Sequence, residues 1–386
     1  MRFLVAFDKF KDAMSAEQAC MAAASAIGGE VDLCPLTDGG EGFAGIITRA
    51  AGGTLSQVPV SGPRGGQVAG HLGLVSAQVL SPEVRNLLDF PFKSDGMLAV
   101  IDMASASGLA LLAHDQRDPW QVDSRGTGEL IRAAANAGVS GIILGLGGSA
   151  THDLSLGALV ALGLEPRTRD GRACAPAPIN WAELASFSGM IDPRLPVIRM
   201  ACDVANPLLG PKGAVSVYAP QKGLRPVDAA KLERATFDTA QKLCAHFNAD
   251  LAHTTQALGA GAAGGMAFGL TVAVGARVVS GSKLVVEWLG LEQRISAADI
   301  VLTGEGRFDH TSLAGKGPGS VATRALELGK IVHVFAGVIE PGLEEHLPAR
   351  LNLHALSPPG LPIEQALREA SERLTTAVAV VAASGW

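Results

Sequence analysis

Five apolar runs in this chain end alike, in a carboxylate set among glycine or small turn residues. RFLVAF leads to Asp8, EVDLCPL to Asp38, GMLAVI to Asp102, PVIRMAC to Asp203, and ADIVL to Thr303-Gly304-Glu305-Gly306. Short runs rich in Val, Ile and Leu, bounded by turn signals and alternating with helical stretches, read as buried parallel strands. In open α/β sheets, ligands bind beyond the carboxyl ends of the strands. Here that edge would carry acids, accessible backbone N–H groups and little bulk, a rim suited to Mg2+ and phosphate. Asp and Gly also close strands as ordinary turn residues in any α/β protein. An acid at the same place in five runs is what points past turn chemistry to a phosphoryl-transfer enzyme.

The 386 residues suffice for two domains with sizeable cores. Disorder is excluded by 48% hydrophobic and only 18% charged residues. A net charge of −6 argues against nucleic acid or an anionic membrane as the main partner, while a local cluster of Lys and Arg could still bind an anionic small-molecule substrate. The five cysteines are scattered without CxxC spacing, as expected of free thiols in a reducing compartment. The first residues lack the apolar core of a secretory signal, and no run reaches the length of a membrane span. A soluble, cytoplasmic protein is expected, with monomer and homodimer both open.

Both chain ends read as alternating strand and helix. Arg2–Phe7 and Glu30–Leu36 are expected strands, separated by a helix over Ser15–Ile27 with Ser15 and Gln18 placed as a capping box; a helix over Gly42–Ala51 follows. Near the other end, strands at Ile300–Thr303, Ile331–Ala336 and Asn352–Leu356 alternate with helices near Gly319–Leu328 and Ile363–Ala383. Neither end has enough strands for a covered parallel sheet, so together they are expected to form one flavodoxin-like domain. Residues 1–60 and 292–386 would make it, with 61–291 inserted as a second α/β domain. Gly163–Pro196, rich in proline, reads as a connecting segment, and Pro226–Asn248 as a patterned helix.

The common nucleotide motifs fail. No GxxxxGK[ST] is present, since Gly315-Lys316 is followed by Gly317. The lone GxGxxG, Gly259 to Gly264, follows no β-branched strand and is matched by no acid about twenty residues on; tight helix packing is an equal reading of it. Ile142–Asp153 is more promising. An apolar strand runs into Gly147-Gly148-Ser149-Ala150-Thr151 and then a helix, so N–H groups and a helix dipole would converge on a phosphate, with Ser149 and Thr151 adding hydroxyls; a capped helix after a tight turn is the alternative. Ser124-Arg125-Gly126-Thr127 opens another helix, and Arg125 can grip an anion or pair with an acid. Thr303–Pro318 concentrates Glu305, Asp309, Arg307 and Lys316.

Taken together, the chain resembles the glycerate kinase family of the bacterial glycerate 2-kinase type over essentially its full length. The resemblance rests on nine ordered blocks: AFDKFKDAMSA (6–16), TDGGEG (37–42), DMASASGL (102–109), RDPWQVDSRGTGEL (117–130), GLGGSATHD (145–153), ACDVANPLLGPKGA (201–214), APQKG (219–223), GAGAAGGMA (259–267) and TGEGRFDHTSLAGK (303–316). It implies a kinase that phosphorylates D-glycerate with ATP and Mg2+ in a cleft between a flavodoxin-like domain and an inserted one, with 2-phosphoglycerate the favoured product. Where the family pattern reads GGSATND followed by small residues, this chain has His152, Leu154 and Ser155; Asp102 stands for the usual Glu, and Thr311 for Gln. Such departures keep open a related hydroxy acid as substrate, or a nucleotide-binding regulatory homologue without turnover.

Phosphoryl transfer needs in-line positioning, neutralised phosphate charge and an acceptor for the hydroxyl proton. Phosphate cradling is expected of Gly147, Gly148, Ser149, Thr151 and the Ser124–Thr127 turn. Mg2+ is expected on Asp38 and Asp203, with Glu305 in reserve. Asp203, then Asp309, is the expected base. Lys11, Arg307 or Lys316 would hold the glycerate carboxylate or steady the transferring group.

Overall fold

The structure, a computed structural model, describes residues 1–91, 96–313, 317–343 and 348–386. The chain divides into two compact units, Met1–Asp38 with Val285–Trp386, and Gly39–Leu284. Along the chain the strands are β1 (Arg2–Phe7), β2 (Glu30–Leu33), β3 (Thr54–Ser61), β4 (Gln67–Ser76), β5 (Met97–Asp102), β6 (Gly141–Gly145), β7 (Leu164–Thr168), β8 (Leu184–Gly189), β9 (Val197–Ala201), β10 (Arg277–Val279), β11 (Ile300–Phe308), β12 (Ile331–Ile339) and β13 (Leu351–Ala355).

The unit built from both chain ends holds a five-stranded sheet in the order β13-β12-β11-β1-β2, with every pairing parallel. Renumbered within the unit this is 2-1-3-4-5, the flavodoxin-like order, and its topological switch point lies between β1 and β11. Strand β1 is apolar from Phe3 to Phe7 because both its faces are covered: Leu4 and Ala6 on one face are fully buried, and on the other Phe3, Val5 and Phe7 join Ala19 and Cys20 of the Ala16–Ala24 helix and Leu374 and Val378 of the Ala370–Ser384 helix in one core. The first of these helices starts with the expected box, Ser15 Oγ accepting from the Gln18 N–H at 3.2 Å and Gln18 Oε1 accepting from the Ser15 N–H at 2.8 Å. Strand β11 outruns β1 by four residues and stays paired with β12 to Phe308, so Glu305 lies on a strand rather than on a loop.

The Gly39–Leu284 unit holds a six-stranded mixed sheet, β10-β9-β6-β5-β4-β3. Strands β5, β6, β9 and β10 are mutually parallel, and β4 pairs antiparallel with both β5 and β3. Strand β3 pairs with β4 over Thr54–Ser61, which carries residues 39–60 into this unit, whereas sequence reading set the joins at 60/61 and 291/292. The Gly163–Pro196 segment, expected to be a connection, contains the β7/β8 hairpin. Leu164, Leu184 and Phe187 anchor it to the unit's core, and the indole N–H of Trp181 donates to the Pro176 carbonyl at 2.8 Å. Its prolines conceal a strand period that burial restores.

Candidate functional site

At the switch point of the first unit the strand ends carry acids. Asp8 directly follows β1, its N–H donating to the Gly304 carbonyl at 3.0 Å, and its Oδ1 accepts from the Lys9 N–H at 2.7 Å. Burial, then the charge of Asp38, pushes the Asp8 carboxyl up to about 7, opposed by Lys9, with Glu305 adding repulsion. Glu305 is also raised, by burial and then by Asp309 and Asp38, while a hydrogen bond from Ser312 opposes the shift. Asp8, Asp38 and Glu305 thus share one electrostatic neighbourhood in which negative charge is in excess.

The other residues expected here differ in freedom. Asp309 opens the short His310–Leu313 helix, its Oδ1 accepting from the Ser312 N–H at 3.3 Å and its Oδ2 from Arg307 Nε at 3.3 Å. Arg307 is largely exposed, so this pairing is weak. Lys11 is exposed in the loop after β1, whose backbone packs near Gly306. Lys316 lies outside the described residues, as does the side chain of Thr311.

In the second unit the carboxyl ends of the parallel strands carry the glycine loop. Gly147 approaches the backbone of Gly40 so closely that a Cβ would lie 2.6 Å from the Gly40 Cα. Gly148 is exposed and left-handed, with φ +74°. The loop is pinned on its other side, where Leu109 N–H donates to the Gly148 carbonyl at 2.8 Å and Ala150 N–H to the Ser107 carbonyl at 2.9 Å. Among the described residues no acceptor takes the N–H groups of Gly148 and Ser149, so two donors remain at a strand end, an arrangement suited to an anion. Thr151 is fully buried and its hydroxyl has no hydrogen-bond partner among the described residues; its carbonyl accepts from Lys222 Nζ at 2.7 Å.

The Ser124–Thr127 turn is mostly structural. Ser124 is buried, and its N–H and hydroxyl both donate to Asp153 Oδ2, at 2.8 and 2.7 Å. Thr127 Oγ1 meets Ser107 Oγ at 2.8 Å in the interior, and a Cβ on Gly126 would collide with the Ser61 carbonyl. Arg125 is the half-buried member, with no carboxylate in ion-pair reach among the described residues. Asp203, after β9, receives Ser280 Oγ at 2.9 Å, Ser282 Oγ at 3.0 Å and Ser282 N–H at 2.7 Å, and so holds the start of the Gly281–Trp288 helix. Gly259 to Gly265 serve packing: a Cβ on Gly264 would lie 2.1 Å from the Thr151 carbonyl.

Three departures from the family pattern fall in the core. His152, Leu154 and Ser155 are all 0% exposed. Leu154 packs against Gly265 within the unit's apolar core rather than narrowing a pocket. Sequence reasoning also left two residues without a role. Asp8 stood among the strand-end acids, but only burial beside Asp38 and Glu305 separates it from an ordinary turn residue. Lys222, in the PQKG turn, is 2% exposed and reaches Ser149 Oγ at 2.8 Å, a contact no spacing announces. Among the described residues no three His, Cys, Asp or Glu side chains are grouped to hold a metal.

Comparison with known proteins agrees in family. The sequence profile of the Glycerate kinase family matches residues 3–384. The chain is 34% identical to the glycerate kinase of Bacillus subtilis over 400 aligned positions, spanning 100% of this chain and 97% of that one. It is 35% identical to the glycerate 2-kinase of Escherichia coli over 346 positions, 87% of this chain and 85% of that one. A crystal structure from Salmonella typhimurium LT2, provisionally named glycerate kinase 2, superposes with a TM-score of 0.73 at 36% identity, covering 100% of this chain and 98% of that one.

Proposed function

This chain belongs to the glycerate kinase family, and on that premise we propose that it transfers the γ-phosphoryl group of ATP to the 2-hydroxyl of D-glycerate. The observation that carries this reading is the pairing of chemistries within one chain: a glycine loop with unclaimed N–H donors, and a set of strand-end acids of which one, Asp8, is raised to about 7. Family membership supports the substrate, and the E. coli relative's name supports the 2-position.

Each group has a distinct task. Gly148 and Ser149 donate to phosphate oxygens, so charge developing on the transferring group meets fixed dipoles. Asp8 accepts the hydroxyl proton as oxygen attacks phosphorus; a base is most effective with a pKa near the working pH. Asp203 and Asp309, expected in that role, each hold a helix start, which favours Asp8. Arg307 and Lys11 are the cations assigned to the glycerate carboxylate, and Arg125 to the nucleotide.

The acids of the first unit fit a divalent cation, because mutual repulsion raises Asp8 and Glu305 and a positive charge would relieve it. Mg2+ commonly takes one or two carboxylates and keeps phosphate oxygens and waters for the rest, so a three-acid cage is not required. Asp38 and Glu305 would hold it, and the ion would neutralise phosphate charge. The burial of His152, Leu154 and Ser155 speaks against a substrate change through these three positions; the side chain of Thr311 lies outside the described residues. An ADP-release assay with ATP, Mg2+ and a panel of D-glycerate, L-glycerate, tartronate, threonate and erythronate tests the reading. Turnover is expected to be strongest on D-glycerate; strongest turnover on another acid, or none, would overturn it.

A further inference from the structure

Lys222 is a buried ammonium with neutral partners. Its Nζ donates to Ser149 Oγ at 2.8 Å and to the Thr151 carbonyl at 2.7 Å, and no carboxylate lies in ion-pair reach among the described residues. Asp153 attracts it only through space, its Oδ2 being engaged by Ser124 and the Gly157 N–H. Neighbouring His152 is held neutral by burial and by Lys222 itself. Behind Lys222, Gly223 packs on the Arg117 backbone, and Arg117 adds a second cation whose buried Nε has no acceptor among the described residues. Removing a charge from water without a counter-charge is costly, so something else must justify this one.

The direction of the Ser149 contact says what. An ammonium only donates, so Ser149 Oγ must accept from it and its own proton is left to donate elsewhere. No acceptor for that proton exists among the described residues. We propose that Lys222 is the positioning residue of the Gly147–Thr151 loop, fixing Ser149 as a donor toward a bound phosphate and supplying the positive charge that the phosphate completes. It rests on the reading of this loop as the phosphate site. One consequence is proton linkage. Burial lowers Lys222 to about 7; an anion on the loop favours the charged form, so phosphate binding above that pH takes up a proton. Affinity should fall as pH rises, by about tenfold per unit until the pKa of the complex is reached.

Calorimetric titration with ATP at pH 8, in two buffers of different ionisation enthalpy, tests this. The wild type is expected to take up close to one proton per nucleotide. Lys222→Arg should bind without that uptake and keep its affinity at high pH; Lys222→Met should weaken binding roughly ten- to a hundredfold. Ser149→Ala added to Lys222→Met should cost little more, because both act through one hydroxyl. If Ser149→Ala weakens ATP but the wild type takes up no proton, or Lys222→Arg takes up as much as the wild type, the inference falls and the phosphate loop stands. If Ser149→Ala and Lys222→Met both bind ATP as the wild type does, the loop reading itself falls, and this inference with it. The wild-type and Lys222→Arg titrations decide the matter even if Lys222→Met does not fold.

Discussion

Asp8→Asn keeps the size of the side chain and its Oδ1 acceptor toward Lys9 while removing the proton acceptor. Its kcat is expected to fall by about 10^2–10^4, with the KM for ATP changed only a few-fold. Because the carboxyl must be ionised to act, and Mg2+ on Asp38 and Glu305 would lower it from about 7, wild-type kcat should climb with pH below that value, and the residual activity of the variant should lose this limb. A variant within tenfold of wild type would remove Asp8 from the chemistry. His152 offers a stability test. Thr236 gives its own proton to the Leu232 carbonyl at 2.7 Å, so His152 Nε2 donates to Thr236 Oγ1 at 2.9 Å, and burial holds the ring down to about 3. The unfolded chain takes up this proton near pH 6.5 and the folded one does not, so stability drains away as pH falls from 6.5 toward 3. His152→Asn should flatten that loss, seen as a smaller drop in melting temperature from pH 6.5 to 4; parallel curves would contradict it. Asp8 was half legible in sequence, as a strand-end acid. Lys222 was not, because an apolar environment built from residues far along the chain gives a lysine its meaning.

Among the elements, strands and caps were the most legible. The run RFLVAF is strand β1 to the residue, and Ser15 with Gln18 marks a helix start because the two side chains answer two specific backbone donors. Proline and glycine misled in opposite ways. The prolines of Gly163–Pro196 hid the β7/β8 hairpin, and the glycines of Gly259–Gly265 imitated a nucleotide motif while serving close packing. That packing is testable. Gly264 and Gly138 both have positive φ, +67° and +73°, but a Cβ meets the Thr151 carbonyl at 2.1 Å in the first and nothing within 4 Å in the second. Gly138→Ala should cost about 1 kcal/mol, the backbone penalty alone; Gly264→Ala should cost at least about 2 kcal/mol more, since the Gly264 backbone must move away from the Thr151 carbonyl. Equal losses in urea unfolding would contradict this account of Gly264.

For the whole molecule, the sequence predicts one flavodoxin-like unit from both chain ends because neither end alone could cover a sheet, and the structure joins those ends in one sheet of order 2-1-3-4-5. The placement of the joins was illegible, since GGEG and the helix after it read equally well on either side of a boundary until β3 finds β4. The candidate site was legible as a set of motifs whose elements could be placed, yet not as a division of labour, because sequence shows neither burial nor which acids repel one another. Phosphorus-31 NMR of the wild-type protein with ATP, Mg2+ and D-glycerate follows the reaction directly. ATP should convert to ADP in step with the growth of a single phosphate ester, coupled to the proton on the middle carbon of glycerate. An ester on the terminal carbon, or ATP left intact, would contradict the account.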